Sequence, residues 1–262
     1  MTRRRVLIAG ALGRMGESVA RLLAEEPELA LAAALERPDH PGPGRELAPG
    51  VRVTTDPGAA LAAAEIAIVF ANPEGSLALL RLAADARVPC VVGTTGFRPE
   101  QKKEIEALAR RIPIVLAANF SVSVNVLFHL VRETARLLGA GYDADVLELH
   151  HAAKVDAPSG TALHLAEAIA EGRGAIESPL VLAREGDTGP RPAGAIGVQA
   201  LRGGDNPGEH TVLFLGRGER LELAHRAATR DHFARGALRA ALWVRERPPG
   251  LYDMEQVLGL RP

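Results

Sequence analysis

The sequence predicts an α/β protein, with a Rossmann-type parallel-sheet domain and a second α+β domain that has a mixed or antiparallel sheet. In the first half, apolar runs alternate with helical patterns, which is typical of βαβ units and a parallel sheet. A glycine-rich turn directly follows the first apolar run. After about residue 121 the pattern changes to helices and strands with period-2 alternation, which indicates the second domain.

Five apolar runs of the first half predict the strands of the parallel sheet. Each run leads into a loop, and these loops begin at Gly10, Glu36, Asn72, Gly93 and Asn119. Because ligands of open α/β sheets bind outside the carboxyl ends of the strands, we expect the loops to gather around one site. The predicted strands are residues 5–9, 31–35, 66–71, 89–92 and 114–118.

The second half predicts helices and short strands with antiparallel neighbours. The Gly/Pro-rich residues 186–194 are a predicted long loop, either a lid or an interface arm. A helical stripe from Phe233 to Val244 predicts a last helix, which ends before Pro248-Pro249-Gly250. The other predicted helices are residues 122–138 and 159–171, and the predicted strands are residues 146–151, 196–202, 210–215 and 220–227, the last two joined by a turn at 216–219.

Composition and charge restrict the possible function classes. The 262 residues carry a formal net charge of -1, so nothing indicates a nucleic-acid or membrane partner. No stretch approaches the roughly 18 apolar residues of a spanning helix, and the N-terminus lacks the apolar core of a signal peptide. The single cysteine, Cys90, cannot form an internal disulfide, which fits a reducing compartment. We therefore expect a soluble cytoplasmic protein.

The turn after the first strand has the spacing G-x-x-G-x-x-G, from Gly10 to Gly16. Glycines let the backbone approach a pyrophosphate, which binds at the N–H groups that begin the next helix. Glu36 follows about 20 residues later, where a carboxylate can bind the adenosine ribose hydroxyls. Arg37 and Arg14 suit the 2′-phosphate of NADPH. We expect a site for NADH or NADPH; the alternatives are a turn without ligand and arginines that only cover the surface.

Two further loops fit the nicotinamide end of such a cofactor. Gly93-Thr94-Thr95-Gly96 follows the fourth strand, and Ala117-Ala118-Asn119-Phe120-Ser121 follows the fifth. Their small residues leave room for a nicotinamide ring, and Asn119 and the backbone can bind its carboxamide. Either loop taken alone is more often an ordinary turn.

Two adjacent histidines, His150 and His151, stand at the end of a predicted strand. Neighbours on a strand project to opposite faces, so the two side chains need not share a role. For the same reason they are poor co-ligands of zinc, and no nearby Cys or Asp/Glu spacing completes a tetrahedral set. We expect no metal site here.

The residues that follow favour an anion-and-proton site. Residues 156–161 predict a turn into a helix, with Ser159 or Thr161 near the cap, where N–H groups and hydroxyls can receive a carboxylate. Lys154 adds a compact positive charge in a chain that has only two other lysines, Lys102 and Lys103. A solvated surface lysine is the alternative.

The H-H-x-x-K-x-D-A-P-S-G-T segment at 150–161 resembles the signature of bacterial 4-hydroxy-tetrahydrodipicolinate reductases, also called dihydrodipicolinate reductases. The resemblance covers nearly the whole chain, including residues 10–16, 93–96 and 117–121 and the ending at 250–259. It implies NAD(P)H-dependent reduction of a small dicarboxylate in lysine and diaminopimelate biosynthesis.

The resemblance also implies roles for single residues. His150 is the expected proton donor, assisted by Lys154, and the substrate carboxylates bind to His151, Ser159, Gly160 and Thr161. The expected cofactor-lining residues are Gly10, Ala11, Leu12, Gly13, Arg14, Met15, Glu36, Arg37, Gly93, Thr94, Thr95, Ala117, Ala118, Asn119 and Phe120.

The resemblance further implies two domains and a homotetramer. Residues 1–121, completed by the C-terminal residues 231–262, are expected to bind the dinucleotide. Residues 122–230 are expected to bind substrate and to form the tetramer through their sheet.

Two other functions fit a dinucleotide-binding fold. A homoserine- or aspartate-dehydrogenase-like enzyme would not need adjacent histidines with a lysine and a Ser-Gly-Thr turn. A redox-sensing NAD-binding regulator would need a basic DNA-binding module, and no such region is evident in the sequence. A sensor would bind NADH without consuming it.

Overall fold

A computed structural model describes residues 3–174 and 178–261. The chain divides into two compact units, Met1–Val122 with Asp231–Pro262, and Ser123–Arg230. The expected domain ranges also include residues 1–2, 175–177 and 262, which lie outside the described residues.

The strands are β1 (Arg4–Ala9), β2 (Leu29–Leu35), β3 (Glu46–Ala48), β4 (Val51–Thr54), β5 (Ile66–Val69), β6 (Cys90–Val92), β7 (Pro113–Leu116), β8 (Asp143–His150), β9 (Leu180–Val181), β10 (Ile196–Arg202), β11 (Glu209–Leu215), β12 (Arg220–Arg226) and β13 (Gly250–Tyr252). The helices are α1 (Arg14–Leu23), α2 (Pro57–Ala62), α3 (Pro73–Ala86), α4 (Pro99–Ala109), α5 (Val122–Leu138), α6 (Gly160–Gly172), α7 (Asp231–Val244) and α8 (Met254–Val257).

The first unit is built on a sheet with the strand order β13-β7-β6-β5-β1-β2-β4-β3. Neighbouring strands pair in parallel, except that β3 is antiparallel to β4. Strand order reverses at β1, which pairs with β2 on one side and with β5 on the other. This is the doubly wound arrangement, and it opens a crevice outside the carboxyl ends of β1 and β5. The predicted Rossmann-type fold class is confirmed.

Helices cover both faces of this sheet, so its central strands are apolar on both sides. In β1, Val6 and Ile8 pack into one core cluster, and Leu7 and Ala9 pack into the other. Helices α1 and α7 contribute to the first cluster, and α2, α3 and α4 contribute to the second. Cys90 lies in the second cluster, where burial raises the pKa of its thiol to about 12, so the side chain acts as a small apolar group.

The five predicted strands of this unit are all present, with ends that differ by one or two residues. Strands β3, β4 and β13 were not predicted from the sequence. They have three or four residues, and so few residues cannot establish a periodic pattern. Strand β13 directly follows the Pro248-Pro249 break and pairs with β7 at the edge of the sheet.

The second unit is built on a sheet with the order β12-β11-β8-β10-β9. Strand β11 is antiparallel to both β8 and β12, and the predicted turn at 216–219 joins β11 to β12. The expectation of antiparallel neighbours is wrong for β10, which pairs in parallel with β8 and β9. Because β10 follows β8 only after helix α6, the chain can return in the same direction. The sheet is therefore mixed.

Helices α5 and α6 of the second unit cover one face of its sheet. Residues of α5 and α6, including Phe128, Leu165 and Ile169, pack on Val146, Val198 and other inward residues of the strands. The opposite face carries Leu147, Leu201 and Leu215, which are 37%, 50% and 36% exposed.

Candidate active site

Gly10 and Gly16 bring helix α1 close to the end of β1. Gly10 has a φ of +75°, and a Cβ there would lie 2.3 Å from the carbonyl oxygen of Phe70. A Cβ on Gly16 would lie 2.1 Å from the carbonyl oxygen of Gly10. A larger side chain at either position would collide with backbone, so both positions require glycine.

The start of helix α1 presents N–H groups suited to a phosphate. Within the described residues, the N–H groups of Arg14, Met15 and Gly16 donate to no protein acceptor, because they form the first turn of the helix. Such a helix start attracts anions. The close glycine packing and these open donors fit the pyrophosphate of a dinucleotide.

Glu36 lies directly after β2 and is held at the same turn. One carboxylate oxygen accepts a hydrogen bond from Leu12 N–H at 3.1 Å, and the other accepts one from Arg37 N–H at 3.1 Å. The carboxylate thus lies beside the glycine turn, where an adenosine ribose would bind. Arg14 and Arg37 are both exposed, and Arg37 contacts Asp39 at 3.5 Å.

The two loops expected to meet the nicotinamide lie after β6 and β7. Gly93 packs directly on the ring of Phe70. A Cβ at position 93 would lie 2.0 Å from that ring, so the position has no room for a larger residue. Thr94 is buried, and its hydroxyl contacts Ser76 and the carbonyl of Ala71 at 2.7 and 3.0 Å. The Thr94 side chain therefore holds the loop, while Thr95 is exposed.

The loop after β7 is likewise partly occupied by its own contacts. The Asn119 side chain accepts a hydrogen bond from Ser121 N–H at 2.8 Å. Phe120 is 2% exposed and meets the Phe70 ring edge-on at 5.9 Å. Ala117 is half-buried and Ala118 is exposed, so backbone groups of this loop remain the ones best placed for a ligand.

His150, the last residue of β8, points to the helix-covered face of the second sheet. Its Nδ1 lies 2.5 Å from a carboxylate oxygen of Glu148, two residues earlier on the same face. Burial lowers the pKa of His150, and the Glu148 carboxylate opposes this shift by favouring the protonated ring. The pKa therefore lies below the ordinary value for histidine.

Glu148 is fully buried, and its carboxylate is held by Arg202 and Ser159 in addition to His150. Arg202 of β10 forms two hydrogen bonds to its carboxylate, each of 2.9 Å, and Ser159 N–H donates a third at 3.1 Å. Burial alone would raise the pKa of Glu148, but the bonds from Arg202, His150 and Ser159 outweigh burial and lower it. Glu148 is thus a buried anion beside His150.

A second histidine, His210 of β11, packs against His150 with ring centroids 5.2 Å apart. Its Nε2 lies 3.1 Å from the hydroxyl of Ser159. Burial lowers the pKa of His210 to about 3, assisted by the nearby His150. His210 is therefore neutral at physiological pH and contributes no charge to the site.

Lys154 and the Ser159-Gly160-Thr161 turn occupy the loop and helix start that follow β8. The Lys154 ammonium donates to both carboxylate oxygens of Asp156, at 2.7 and 2.8 Å. A substrate anion would have to share or replace this partner.

Ser159 caps helix α6, as one of the two predicted cap positions. Its hydroxyl accepts from Ala162 N–H at 3.1 Å, and its own N–H donates to Glu148. The sequence predicts that this N–H is open to a substrate carboxylate. In the structure Ser159 is 3% exposed and its N–H is occupied by Glu148. Gly160 is exposed and Thr161 is half-buried at the start of α6, so these two are better placed to meet one.

His151 lies just beyond β8, next to Arg230. An Arg230 guanidinium nitrogen lies 3.3 Å from His151 Nε2. Both residues line a cavity of about 450 Å³, together with Ala152, Ala153, Gly204, Asp205 and Pro207. The cavity has the size of a small-metabolite site, and Arg230 offers it a cation.

Sequence reasoning missed Glu148, Arg202, His210 and Arg230. Of these, Glu148 alone had a local signal in the sequence. It lies two residues from Val146 and two from His150, so the three share the inward face of the strand. The other three are brought to the site by strand pairing and chain folding.

The described part of the chain shows neither a metal site nor a membrane-spanning helix. There, no cluster of three or more His, Cys, Asp or Glu side chains has the arrangement of a metal site. No helix there combines the length and the hydropathy that crossing a bilayer requires.

A doubly wound sheet with a glycine turn, an open helix start and an acidic residue after the second strand defines a dinucleotide-binding fold, the fold that NAD(P)-dependent oxidoreductases use. Family models agree with this class and narrow it to one family. Those described as dihydrodipicolinate reductase, N-terminus, and dihydrodipicolinate reductase, C-terminus, match residues 4–120 and 123–258.

Relatives and a solved structure give the same result. The 4-hydroxy-tetrahydrodipicolinate reductases of Anaeromyxobacter dehalogenans (strain 2CP-1) and Nitrosomonas europaea are 48% and 46% identical, over 98% and 100% of both chains. A dipicolinate-bound dihydrodipicolinate reductase from Paenisporosarcina sp. TG-14 is 26% identical, with a TM-score of 0.78 over 96% of this chain and 98% of that one.

The chain therefore belongs to the dihydrodipicolinate reductase family. It is an NAD(P)H-dependent oxidoreductase with the function of the 4-hydroxy-tetrahydrodipicolinate reductases, in lysine and diaminopimelate biosynthesis.

Proposed function

We propose that His150 supplies the proton when this chain reduces 4-hydroxy-tetrahydrodipicolinate to tetrahydrodipicolinate. The observation that carries the proposal is the 2.5 Å contact of His150 Nδ1 with the buried Glu148 carboxylate. A carboxylate at Nδ1 stabilises the protonated ring and leaves Nε2 to act on a substrate.

The first unit holds the dinucleotide in this proposal. Gly10 to Met15 receive the pyrophosphate, Glu36 binds the ribose hydroxyls, and Arg37 meets the 2′-phosphate of NADPH. Gly93 to Thr95 and Ala117 to Phe120 line the nicotinamide pocket. When bound, the cofactor supplies a hydride to the substrate.

The second unit holds the dicarboxylate. Lys154 offers a cation, and His151, Gly160 and Thr161 offer hydrogen-bond donors, with Ser159 setting the helix start beneath them. Arg230 adds a second cation at the cavity beside His151. The dipicolinate in the related structure supports a flat ring with two carboxylates as the kind of ligand bound.

The substrate loses its 4-hydroxyl as water and takes up one hydride and one proton, which together give tetrahydrodipicolinate. Hydride addition leaves electron density on the substrate that a proton must neutralise. The protonated His150 donates the proton on Nε2 and returns to a neutral ring that keeps its proton on Nδ1. Lys154 offsets the negative charge that develops before this transfer. Because burial holds the pKa of His150 below its ordinary value, activity should decline as the pH rises through that pKa.

We also propose a cytoplasmic homotetramer. The uncovered face of the second sheet, with Leu147, Leu201 and Leu215 exposed, supports assembly through this sheet. Dependence on reduced nicotinamide and a single cysteine support the cytoplasm.

The test of the proton donor is His150→Gln. We expect kcat to fall by roughly 10²–10⁴, the usual contribution of a general acid, with a smaller effect on KM. His164→Gln is the matched control, because His164 is an exposed residue of α6 that pairs with Glu167. A His150→Gln enzyme with near-wild-type kcat would assign proton donation to another group.

A further inference from the structure

Glu148 is an unusual residue for the inward face of β8. The two inward positions that precede it on this strand, Ala144 and Val146, are apolar and belong to the core. Burying a carboxylate costs free energy that ion pairing only partly recovers, and apolar replacements of buried ion pairs are often neutral or stabilising. Stability alone therefore does not explain an Arg202–Glu148 pair at this position.

The pair connects all the parts of the proposed proton site. Arg202 donates to both Glu148 oxygens and, at 2.7 Å, to the carbonyl of Asp156. The side chain of Asp156 holds Lys154. Arg202 thus fixes the loop that carries Lys154 to the carboxylate that holds His150.

The opposite nitrogen of His150 is kept accessible by Gly208. Gly208 has a φ of +150°, and a Cβ there would lie 2.8 Å from His150 Nε2. A side chain at position 208 would therefore cover the nitrogen that Glu148 leaves open.

We propose that Glu148 and Arg202 are positioning residues for proton transfer, which hold the Nδ1 proton of His150 toward Glu148 so that Nε2 is the nitrogen that donates. The inference rests on the proposed role of His150. In the step, the Nε2–H bond of the protonated ring breaks, its proton bonds to the reduced substrate, and the neutral ring keeps its Nδ1 proton. Arg202 keeps Glu148 ionised and fixed in orientation, so that the ring does not rotate or change tautomer.

The titration of His150 depends on charges from every element packed around it. Glu148 lies on its own strand, Arg202 on β10, and Lys154 and Asp156 on the following loop. His210 of β11 is in ring contact, with His225 of β12 opposite it in register. Of these, Glu148 is the anion in direct contact with the ring, so its removal should lower the pKa of His150.

Glu148→Gln tests the inference while keeping the shape of the side chain. We expect kcat to fall roughly 10²-fold, with KM for substrate and cofactor changing less than about threefold. The basic limb of the pH profile should move to lower pH by about one unit or more, because the protonated ring loses its counter-ion. Arg202→Lys should give a smaller shift in the same direction, since it keeps the charge and loses the two-point contact.

Asp145→Asn is the matched control. Asp145 lies on the same strand and pairs with Arg191 at 2.7 Å, so the variant breaks an arginine–carboxylate pair away from His150. It should lower thermal stability without moving the pH profile. If Glu148→Gln changes stability and leaves the profile at the wild-type position, Glu148 is only structural and the inference is overturned.

A measurement on the wild-type chain does not depend on how the variant folds. In ¹⁵N-histidine NMR above the pKa of His150, we expect Nδ1 to be protonated and Nε2 to be unprotonated. The opposite tautomer would overturn the inference. Failure of the proposed function is distinguishable, because His150→Gln would then retain its kcat whatever the tautomer.

Discussion

We propose that two neighbouring residues, Glu36 and Arg37, set which cofactor the first unit accepts. Glu36 is fixed beside the glycine turn by two backbone N–H groups, whereas the side chain of the neighbouring Arg37 is exposed and pairs with Asp39 at 3.5 Å. A carboxylate suits the ribose hydroxyls of NADH, and a guanidinium suits the 2′-phosphate of NADPH. Because Glu36 and Arg37 are neighbours directly after β2, we expect either cofactor to support turnover.

Arg37→Ala should separate the two cofactors. We expect KM for NADPH to rise roughly tenfold, since a charged hydrogen bond is worth about 1.5 kcal/mol at the lower end and Arg37 is exposed. KM for NADH should change little. Arg81→Ala, which breaks an exposed pair with Glu104, is the control. Equal losses for the two cofactors would show that Arg37 does not meet the phosphate.

At the residue scale, sequence reasoning reached those positions whose role depends on local spacing. Gly10, Gly16 and Glu36 follow from the order of strand, turn and helix. Arg202 and His210 could not be predicted, because only the pairing of β10 and β11 with β8 brings them to His150. Ser159 was predicted as a cap, but its N–H bond to Glu148 spans 11 residues and has no local signature.

At the scale of elements, the start of helix α6 and the loop before it form the proposed dicarboxylate receptor. Helix starts favour anions, and here the positive charge of Lys154 lies on the adjoining loop. Lys154 is already paired with the carboxylate of Asp156 on the same loop. Binding of a substrate carboxylate must therefore compete with Asp156.

Pyridine-2,6-dicarboxylate should inhibit competitively against substrate at fixed NADPH. The aromatic ring keeps both carboxylates and the flat shape but accepts hydride poorly. Lys154→Ala should weaken the inhibitor by about 1.5–3 kcal/mol, the range for a charged hydrogen bond. Asp156→Asn should leave Lys154 without its competing anion and tighten the inhibitor. Purely uncompetitive inhibition, or no response to Lys154→Ala, would place the anion site elsewhere.

Elements were predictable where a pattern ran long enough. Residues 122–138 form helix α5 and residues 196–202 form β10, as predicted. The direction of β10 was not predictable, since its pattern is the same in parallel and antiparallel pairs. It depends on the connection through α6.

At the scale of the whole molecule, the proposed tetramer would form through the face of the second sheet that helices α5 and α6 leave open. Leu147 of β8, Leu201 of β10 and Leu215 of β11 lie exposed on strands that pair side by side. Exposed leucines on three adjacent strands of one sheet face are typical of an interface. The face consists of residues from three strands, so the sequence alone did not reveal it.

Light scattering should give four times the 27.7 kDa chain mass. Leu201→Asp should shift the population to smaller species, because it places a charge on the apolar face. Leu82→Asp is the control, since Leu82 is a comparably exposed leucine of α3 in the other unit. A wild-type mass near 27.7 kDa at all concentrations would refute the tetramer.

The most direct test of the central claim is consumption of reduced nicotinamide by the purified chain. The substrate, 4-hydroxy-tetrahydrodipicolinate, is generated in situ by a coupled enzyme, and absorbance at 340 nm is followed with NADH and with NADPH. We expect the absorbance to fall with both cofactors, only when substrate is generated, and far more slowly for His150→Gln. Binding of NADH or NADPH without any loss of absorbance would contradict the assignment.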